Sequence, residues 1–329
     1  MIDVQAARTL AFSRSRRSPV SRVAHIARSL GAFIRSVHVN SLDDASFSDG
    51  WADPSSPDWR LDKIGGRCDV ACKRGWGIAM PEQNETLADL LLSARRDTSR
   101  RIVALPLDVV PKDIENAYHV QRLVSGKLGP IGGWKVGAPG GTRMCGPLPA
   151  SGVRSSPAQL VARENPYRGI EAEVAFRMAI DLPPRTTAYT RPQIVAAIAT
   201  MHPAIEVLEP RYVDPDKFDL LTNLADTQSH GEFIFGAGTL DWQGINLDEM
   251  KCEQFVDGVL TKDRVGYPFG DILDMVSWLA NIGTVWAGGL KAGQFVTCGS
   301  WTGKECVSPN ASVRVHFSGI GEVQLRYVD

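Results

Sequence analysis

The sequence predicts an α+β fold, in which amphipathic helices come first and a β-rich body follows. An apolar residue recurs at positions i, i+3, i+4 and i+7, which marks one face of a helix. These residues are Leu87, Leu90, Leu91 and Ala94. Apolar and polar residues alternate over 312–317 and 322–328, which is typical of strands. Because strands are short and helical patterns are few after Gly169, the chain favours α+β over a doubly wound sheet.

The boundaries of the first helices follow from their flanking residues. The first helix is predicted to begin with Asn84 or Thr86 as its N-cap, and a second follows Pro111 and ends at Gly126. The glycine-rich run 132–141 then predicts a flexible loop. The remaining predicted elements are helices near 191–201 and 271–282 and a strand at 294–298.

Composition and charge exclude several classes of partner. The chain has 329 residues, 43% hydrophobic and 22% charged, which is ordinary for a globular protein. The formal net charge of -1 gives no reason to expect nucleic acid or an anionic membrane as a partner. No apolar run approaches the roughly 20 residues of a membrane span. The six cysteines are too sparse for a disulfide scaffold, so we expect reduced thiols and a cytoplasmic location.

The first 79 residues differ in composition from the rest of the chain. Up to about residue 40 they carry seven arginines against one acid, Asp3, and many serines. Such a segment is compatible with a transit peptide or with a poorly ordered basic extension. It is also compatible with an over-extended start, in which Met80 is the true initiator. We favour the last interpretation and expect one catalytic domain over residues 80–329.

Two glutamates lie on one face of a predicted strand at 169–176. Side chains alternate along a strand, so Glu171 and Glu173 share a face that continues to Ala175. The apolar face is formed by Ile170, Ala172, Val174 and Phe176. An exposed strand tolerates two neighbouring carboxylates, whereas a buried one needs a cation or a shared proton. Taken alone, the pattern is compatible with either environment.

A third acid, Glu206, lies in an apolar stretch at 202–211. Its neighbours are Ala204, Ile205, Val207 and Leu208, which favour burial of this carboxylate. A buried glutamate is costly unless it is paired or binds a metal. A salt bridge to Arg211 is the simpler alternative.

Six short segments after residue 130 occur in a characteristic order. They are Gly-Trp-Lys-Val-Gly at 133–137, Ile-Glu-Ala-Glu-Val-Ala-Phe at 170–176, Ala-Ile-Glu-Val at 204–207, Leu-Ala-Asp-Thr-Gln-Ser at 224–229, Trp-Leu-Ala-Asn at 278–281 and the stretch 290–300. Together they resemble the branch of the fumarylacetoacetate hydrolase superfamily that contains 2-keto-4-pentenoate hydratases and 2-oxohex-3-enedioate decarboxylases. The resemblance covers about residues 84–328.

This resemblance implies a β-rich fumarylacetoacetate-hydrolase-type fold with flanking N-terminal helices. It also implies one Mg²⁺ or Mn²⁺ held by Glu171, Glu173 and Glu206, with positions left open for a small-molecule 2-oxo acid. Lys135 matches the active-site lysine of the family, which implies substrate binding and proton transfer. A homo-oligomer is the expected assembly.

Other positions in the matching segments bear on substrate binding and on proton transfer. Asp226, Ser229 and Ser300 are expected to contact substrate, although ordinary turns explain them equally well. The family usually has an acid in a Pro-Asp-x-Gly-like segment, where this chain has Ala150. A water at the metal, Asp226 or His230 would then have to exchange the proton.

The resemblance implies a hydro-lyase that hydrates a 2-hydroxy-2,4-dienoate in aromatic-compound catabolism. Two alternatives of the same fold are a 2-oxo-enedioate decarboxylase and an acylpyruvate-type C–C hydrolase. A third alternative, of a different class, is a non-catalytic partner subunit of an active homologue. Because the metal ligands look intact while the acid is missing, a metal-dependent enzyme on a 2-oxo acid is the firmer prediction.

Overall fold

The structure, a computed structural model, describes residues 81–329. The predictions for residues 1–79 lie outside the described residues. Within 81–329 no helix combines the length and the apolar character that crossing a membrane requires.

Five α-helices lie in the described range: α1 Pro81–Arg96, α2 Ile114–Leu128, α3 Arg191–Ala196, α4 Leu220–Ala225 and α5 Ile272–Trp278. Helix α1 is confirmed, but it begins ahead of the predicted caps Asn84 and Thr86. Helix α2 is capped by Asp113, whose carboxylate accepts a hydrogen bond from the Asn116 N–H at 2.8 Å. Helix α5 continues into a π-helical turn at Leu279–Gly283, close to the predicted end.

Thirteen strands of the described residues form two sheets. They are β1 Ile131–Gly137, β2 Met144–Pro149, β3 Val153–Ser155, β4 Ala158–Val161, β5 Gly169–Met178, β6 Ile198–Leu208, β7 His230–Phe235, β8 Lys251–Val256, β9 Val259–Val265, β10 Phe295–Thr297, β11 Glu305–Cys306, β12 Ser312–Phe317 and β13 Gly321–Val328. The larger sheet has the order β2-β1-β10-β5-β6-β7-β3, with β11 also paired to β5. The smaller sheet has the order β4-β13-β12-β8-β9. The mixed sheets with few helices confirm the predicted α+β class.

The main core lies between the two sheets. The predicted apolar face of β5, from Ile170 to Phe176, packs in one cluster with inner residues of the smaller sheet such as Val315 and Leu325. Helices α1, α2 and α4 form a second cluster, which includes Leu87 and Leu91. Burial on one side of β5 leaves its opposite side for the acidic residues.

Two sequence predictions of secondary structure are wrong. Residues 198–201 belong to strand β6 rather than to a helix, because they pair with the end of β5 at 176–178. Much of the glycine-rich run is strand β1 rather than a flexible loop. The glycines let the strands approach closely, since a Cβ on Gly133 would lie 2.7 Å from the Phe295 carbonyl oxygen.

Candidate metal centre

One face of the larger sheet carries the acidic and basic residues that the sequence analysis singled out. Strand β5 places Glu171 and Glu173 on this face because they are two residues apart. Glu206 of β6 pairs directly with Glu171, so the third carboxylate joins them from the neighbouring strand. On the other side of β5, strand β10 carries Thr297, whose partner in β1 is Lys135. Four strands therefore bring these side chains together.

The carboxylates of Glu171, Glu173 and Glu206 converge, since one ligand atom of each lies within 4.8 Å of the others. Glu173 and Glu206 are only 1% and 0% exposed, and Glu171 is half-buried. Three carboxylates this close and this buried require compensating positive charge. Carboxylate oxygens are the ligands that hard divalent cations prefer. The acidic triad can therefore hold a divalent cation.

Lys135 supplies one positive charge to the triad. Its Nζ lies 2.6 Å from Oε1 of Glu206, and both side chains are buried. The same ammonium group donates a hydrogen bond to the Gln228 carbonyl oxygen at 3.2 Å. One lysine balances only one of three carboxylates, so the site remains acidic and suited to a cation.

Burial and mutual repulsion change the pKa values of these groups. Burial, reinforced by the charge of Glu206, raises the pKa of Glu171 to about 7 and that of Glu173 well above its usual range. Burial opposes ionisation of Glu206 as well, but Lys135 and His230 together hold its pKa below the usual value. Although burial acts to lower it, the pKa of Lys135 is raised by Glu206 and Glu171. Glu206 and Lys135 are therefore the charged pair.

The hydrogen bonds of the triad leave oxygens available to a metal. The Thr297 hydroxyl and the Gly299 N–H both donate to Oε2 of Glu173, the second at 3.3 Å. Oε1 of Glu206 accepts from two donors, whereas its Oε2 is buried without a hydrogen-bond partner among residues 81–329. A buried carboxylate oxygen without a partner is costly, and a bound cation would satisfy it. The residues present therefore fit Mg²⁺ or Mn²⁺.

His230, the first residue of β7, also contacts the triad. Its ring is 1% exposed, and Nδ1 lies 3.1 Å from Oε1 of Glu206. Burial lowers the pKa of His230 to about 4, so the imidazole is neutral. From the sequence, His230 was expected only as one of three possible proton-transfer groups, and Thr297 was not expected at the site. The register of β1 and β10, which places Thr297 beside Lys135, has no local signal in the sequence.

Asp226 binds Arg211 instead of facing the triad. The Arg211 Nε donates to one carboxylate oxygen of Asp226, and the Arg211 backbone N–H donates to the other at 3.0 Å. Both side chains are at most 5% exposed. Both carboxylate oxygens of Asp226 accept hydrogen bonds from Arg211. The predicted substrate contact of Asp226 is therefore corrected: the residue has a structural role in the turn that follows it.

The two predicted serines lie in different environments. Ser229 is half-buried in a turn, where its N–H donates to the Asp226 carbonyl oxygen at 3.1 Å. Ser300 follows Gly299, the residue whose N–H contacts Glu173. The Ser300 hydroxyl is buried and has no partner within the described part of the chain. Of the two, Ser300 therefore offers an unused hydrogen-bonding group next to the triad.

Ala150 lies beyond the end of the β1–β2 pair that is distant from Lys135. It follows Pro149, which pairs with Ile131 at the start of β1, whereas Lys135 pairs with Gly146. At about 3.3 Å per residue, an acid at position 150 would lie more than about 13 Å along the strand from Lys135. The exposed Ala150 therefore lies apart from Lys135, and the loss of the family's acid at this position stays a prediction.

Part of the chain is similar in sequence to a known protein. The chain matches no protein-family model. It is 28% identical over 136 residues to a 4-oxalocrotonate decarboxylase of Pseudomonas putida, a match that covers 41% of this chain and 51% of the relative. The chain thus matches about half the length of this curated relative.

Solved structures that share the fold of this chain include a related decarboxylase. A 4-oxalocrotonate decarboxylase from Pseudomonas putida G7, complexed with magnesium and adipate, superposes with a TM-score of 0.65 at 22% identity. The match covers 76% of this chain and 98% of the other. The same enzyme complexed with calcium and acetate gives a TM-score of 0.63. The chain has the decarboxylase fold. The resemblance inferred from the six segments is thereby confirmed in sequence and in fold.

Proposed function

We propose that this protein is a metal-dependent decarboxylase that acts on a 2-oxo-enedioate. The observation that carries the proposal is the convergence of three carboxylates within 4.8 Å, with the Lys135 ammonium 2.6 Å from one of them. This arrangement pairs a cation site with a fixed positive charge. A 2-oxo acid presents a carboxylate and a neighbouring oxo group, and both are suited to such a pair.

Similarity to 4-oxalocrotonate decarboxylase reverses the order of the two leading hypotheses from the sequence. Hydration of a dienoate came first there because of the family resemblance, although the missing acid at Ala150 made the decarboxylase harder to exclude. The match in sequence and fold supports decarboxylation instead. Adipate, found in one solved decarboxylase, is a six-carbon dicarboxylate, as is 2-oxohex-3-enedioate, but it lacks the oxo group and the double bond.

The chemistry requires one carbon–carbon bond to break without oxidation. The bond to the distal carboxylate breaks, its electron pair moves through the conjugated system to the 2-oxo oxygen, and CO₂ leaves. A divalent cation at the triad would act as a Lewis acid and stabilise negative charge at that oxygen. Lys135 holds a proton at Nζ, so it can stabilise the same charge and protonate the product. We propose that the Ser300 hydroxyl, which has no hydrogen-bond partner among the described residues, binds the substrate carboxylate.

Ser229 remains a predicted substrate contact, and a homo-oligomeric assembly also remains a prediction. Ser229 is half-buried in a turn, and the carbonyl oxygen of the preceding residue, Gln228, accepts a hydrogen bond from Lys135. A substrate held by Lys135 would therefore lie close to this turn. Manganese and magnesium are equally compatible with the ligand set.

The direct test is CO₂ release from 2-oxohex-3-enedioate by the purified protein with Mg²⁺ or Mn²⁺. We expect metal-dependent CO₂ release in the wild type and none in the Glu171→Gln/Glu173→Gln double variant. The same double variant should fail to bind Mn²⁺ in a calorimetric titration. The glutamine side chains keep the size of the acids while removing their charge, so a loss of binding reports on the ligands.

Three results would contradict the decarboxylase proposal. Water addition to 2-hydroxypenta-2,4-dienoate without CO₂ release would favour the hydratase. Cleavage of an acylpyruvate alone would favour the hydrolase. Metal binding without turnover of any of these compounds would favour a non-catalytic partner subunit.

A further inference from the structure

Two donors occupy the same oxygen of Glu206. Oε1 lies 2.6 Å from the Lys135 ammonium and 3.1 Å from Nδ1 of His230. The other oxygen, Oε2, is buried and has no hydrogen-bond partner among the described residues. The two oxygens are chemically equivalent in a free carboxylate, so this asymmetry comes from the protein.

The direction of the hydrogen bond between His230 and Glu206 follows from their chemistry. An ionised carboxylate only accepts, so the hydrogen must be on Nδ1 of His230. The terminal torsion of a glutamate is broad, and a single donor leaves the carboxylate free to turn. Donors from two different strands, β1 and β7, fix the plane of the carboxylate.

The backbone of His230 is itself held in place by two arginines. Its carbonyl oxygen accepts hydrogen bonds from Arg95 at 3.1 Å and from Arg211 at 2.6 Å. The three residues before it have positive φ angles of 53°, 51° and 66°, which non-glycine residues rarely adopt. Such a turn persists only when its surroundings hold it, and it clusters at functional sites. The fold therefore fixes the position of His230.

We propose that His230 is a positioning residue of the metal centre. This role rests on the proposed function. Its N–H binds Oε1 of Glu206 and so directs Oε2 to the cation. Hydrogen-bond partners of metal-binding carboxylates orient them, and their loss typically weakens metal affinity about 10- to 100-fold. His230 does not contact the substrate in this proposal.

The test compares variants of His230 that keep or remove the donor. Asparagine places its amide nitrogen near the position of Nδ1, whereas leucine has a similar size and no donor. By calorimetric titration of the full-length protein with Mn²⁺, we expect His230→Leu to bind about 10- to 100-fold more weakly than the wild type. We expect His230→Asn to stay within about threefold of the wild type, because the donor is retained. His230→Ala removes the same donor with a smaller side chain and carries the same expectation as His230→Leu.

His202 provides a matched control on the same strand as Glu206. It is also a buried histidine, but its Nδ1 lies 2.9 Å from the Gly236 carbonyl oxygen and its Nε2 lies 2.7 Å from the Thr200 hydroxyl. His202→Leu removes a buried imidazole without removing a donor to a carboxylate. We expect a lower melting temperature and an unchanged Mn²⁺ affinity for the folded protein.

Two outcomes would overturn the proposed role of His230. One is Mn²⁺ affinity in His230→Leu equal to that of the wild type. The other is an equal loss of affinity in His230→Leu and His202→Leu, which would indicate general disturbance of the sheet. A wild-type protein that does not bind Mn²⁺ would instead refute the metal centre itself.

Discussion

Acidification should weaken metal binding at the triad. Burial and the neighbouring charge of Glu206 raise the pKa of Glu171 to about 7, and the pKa of Glu173 is raised further above its usual range. A metal binds the ionised carboxylate, so below pH 7 each cation must displace a proton from Glu171. Affinity for Mg²⁺ or Mn²⁺ should therefore fall as the pH is lowered from 8 to 5.

The size of the effect follows from the pKa of Glu171. Below about pH 7, one displaced proton lowers the apparent affinity about tenfold per pH unit. At pH 5 binding should be about 100-fold weaker than at pH 8, and protons on Glu173 would make the dependence steeper.

The same shift predicts how stability depends on pH without metal. The folded state holds the Glu171 proton more tightly than the unfolded state, in which the pKa is near the ordinary glutamate value of 4.5. The destabilisation is thus fully present above pH 7 and disappears as the pH falls from about 7 to 4.5. A shift of this size corresponds to about 3 kcal/mol. Metal-free protein should therefore gain unfolding free energy over this range until other groups begin to titrate.

Calorimetric titration at several pH values, in buffers of different ionisation enthalpy, measures affinity and proton release together. We expect about one proton or more to be released per cation at pH 6. The control is Glu171→Gln, which has no proton to displace at this position. It should bind the cation more weakly than the wild type, and its affinity should depend less on pH. Wild-type affinity that stays constant between pH 5 and 8, or binding at pH 6 without proton release, would refute this reasoning.

Three further predictions test the surroundings of the triad. Lys135→Met should lower turnover about 10²- to 10⁴-fold while metal still binds, since the three carboxylates remain; steady-state kinetics near the wild-type rate would contradict this. Arg211→Met should cost about 3–5 kcal/mol in urea unfolding because it leaves Asp226 buried without its cation, and adding Asp226→Asn should recover part of the loss. Leu91→Ala, in the helical cluster, should cost about 2–5 kcal/mol of unfolding free energy and leave Mn²⁺ affinity unchanged; altered affinity would mean that the cluster and the triad are coupled.

Local periodicity explains which features the sequence predicted well. The alternation along 169–176 separates the faces of β5, because side chains of a strand alternate whatever the partner strands are. The faces of helices α1 and α2 follow from their periodicity in the same way. In contrast, residues 198–201 form strand because they pair with residues 176–178 of β5, and this pairing outweighs the local helical preference.

The sequence by itself determined the α+β class, the two faces of β5 and, through its resemblance, the three glutamates. Only the tertiary structure decided how these groups are used. In the structure Lys135 lies on a strand beside Glu206, and Asp226 pairs with Arg211. Ala150 lies far along the strand from Lys135, and His230 contacts Glu206. Each of these outcomes depends on the register between strands or on contacts between segments far apart in the chain. Register is a non-local property, so no pattern within a single segment specifies it.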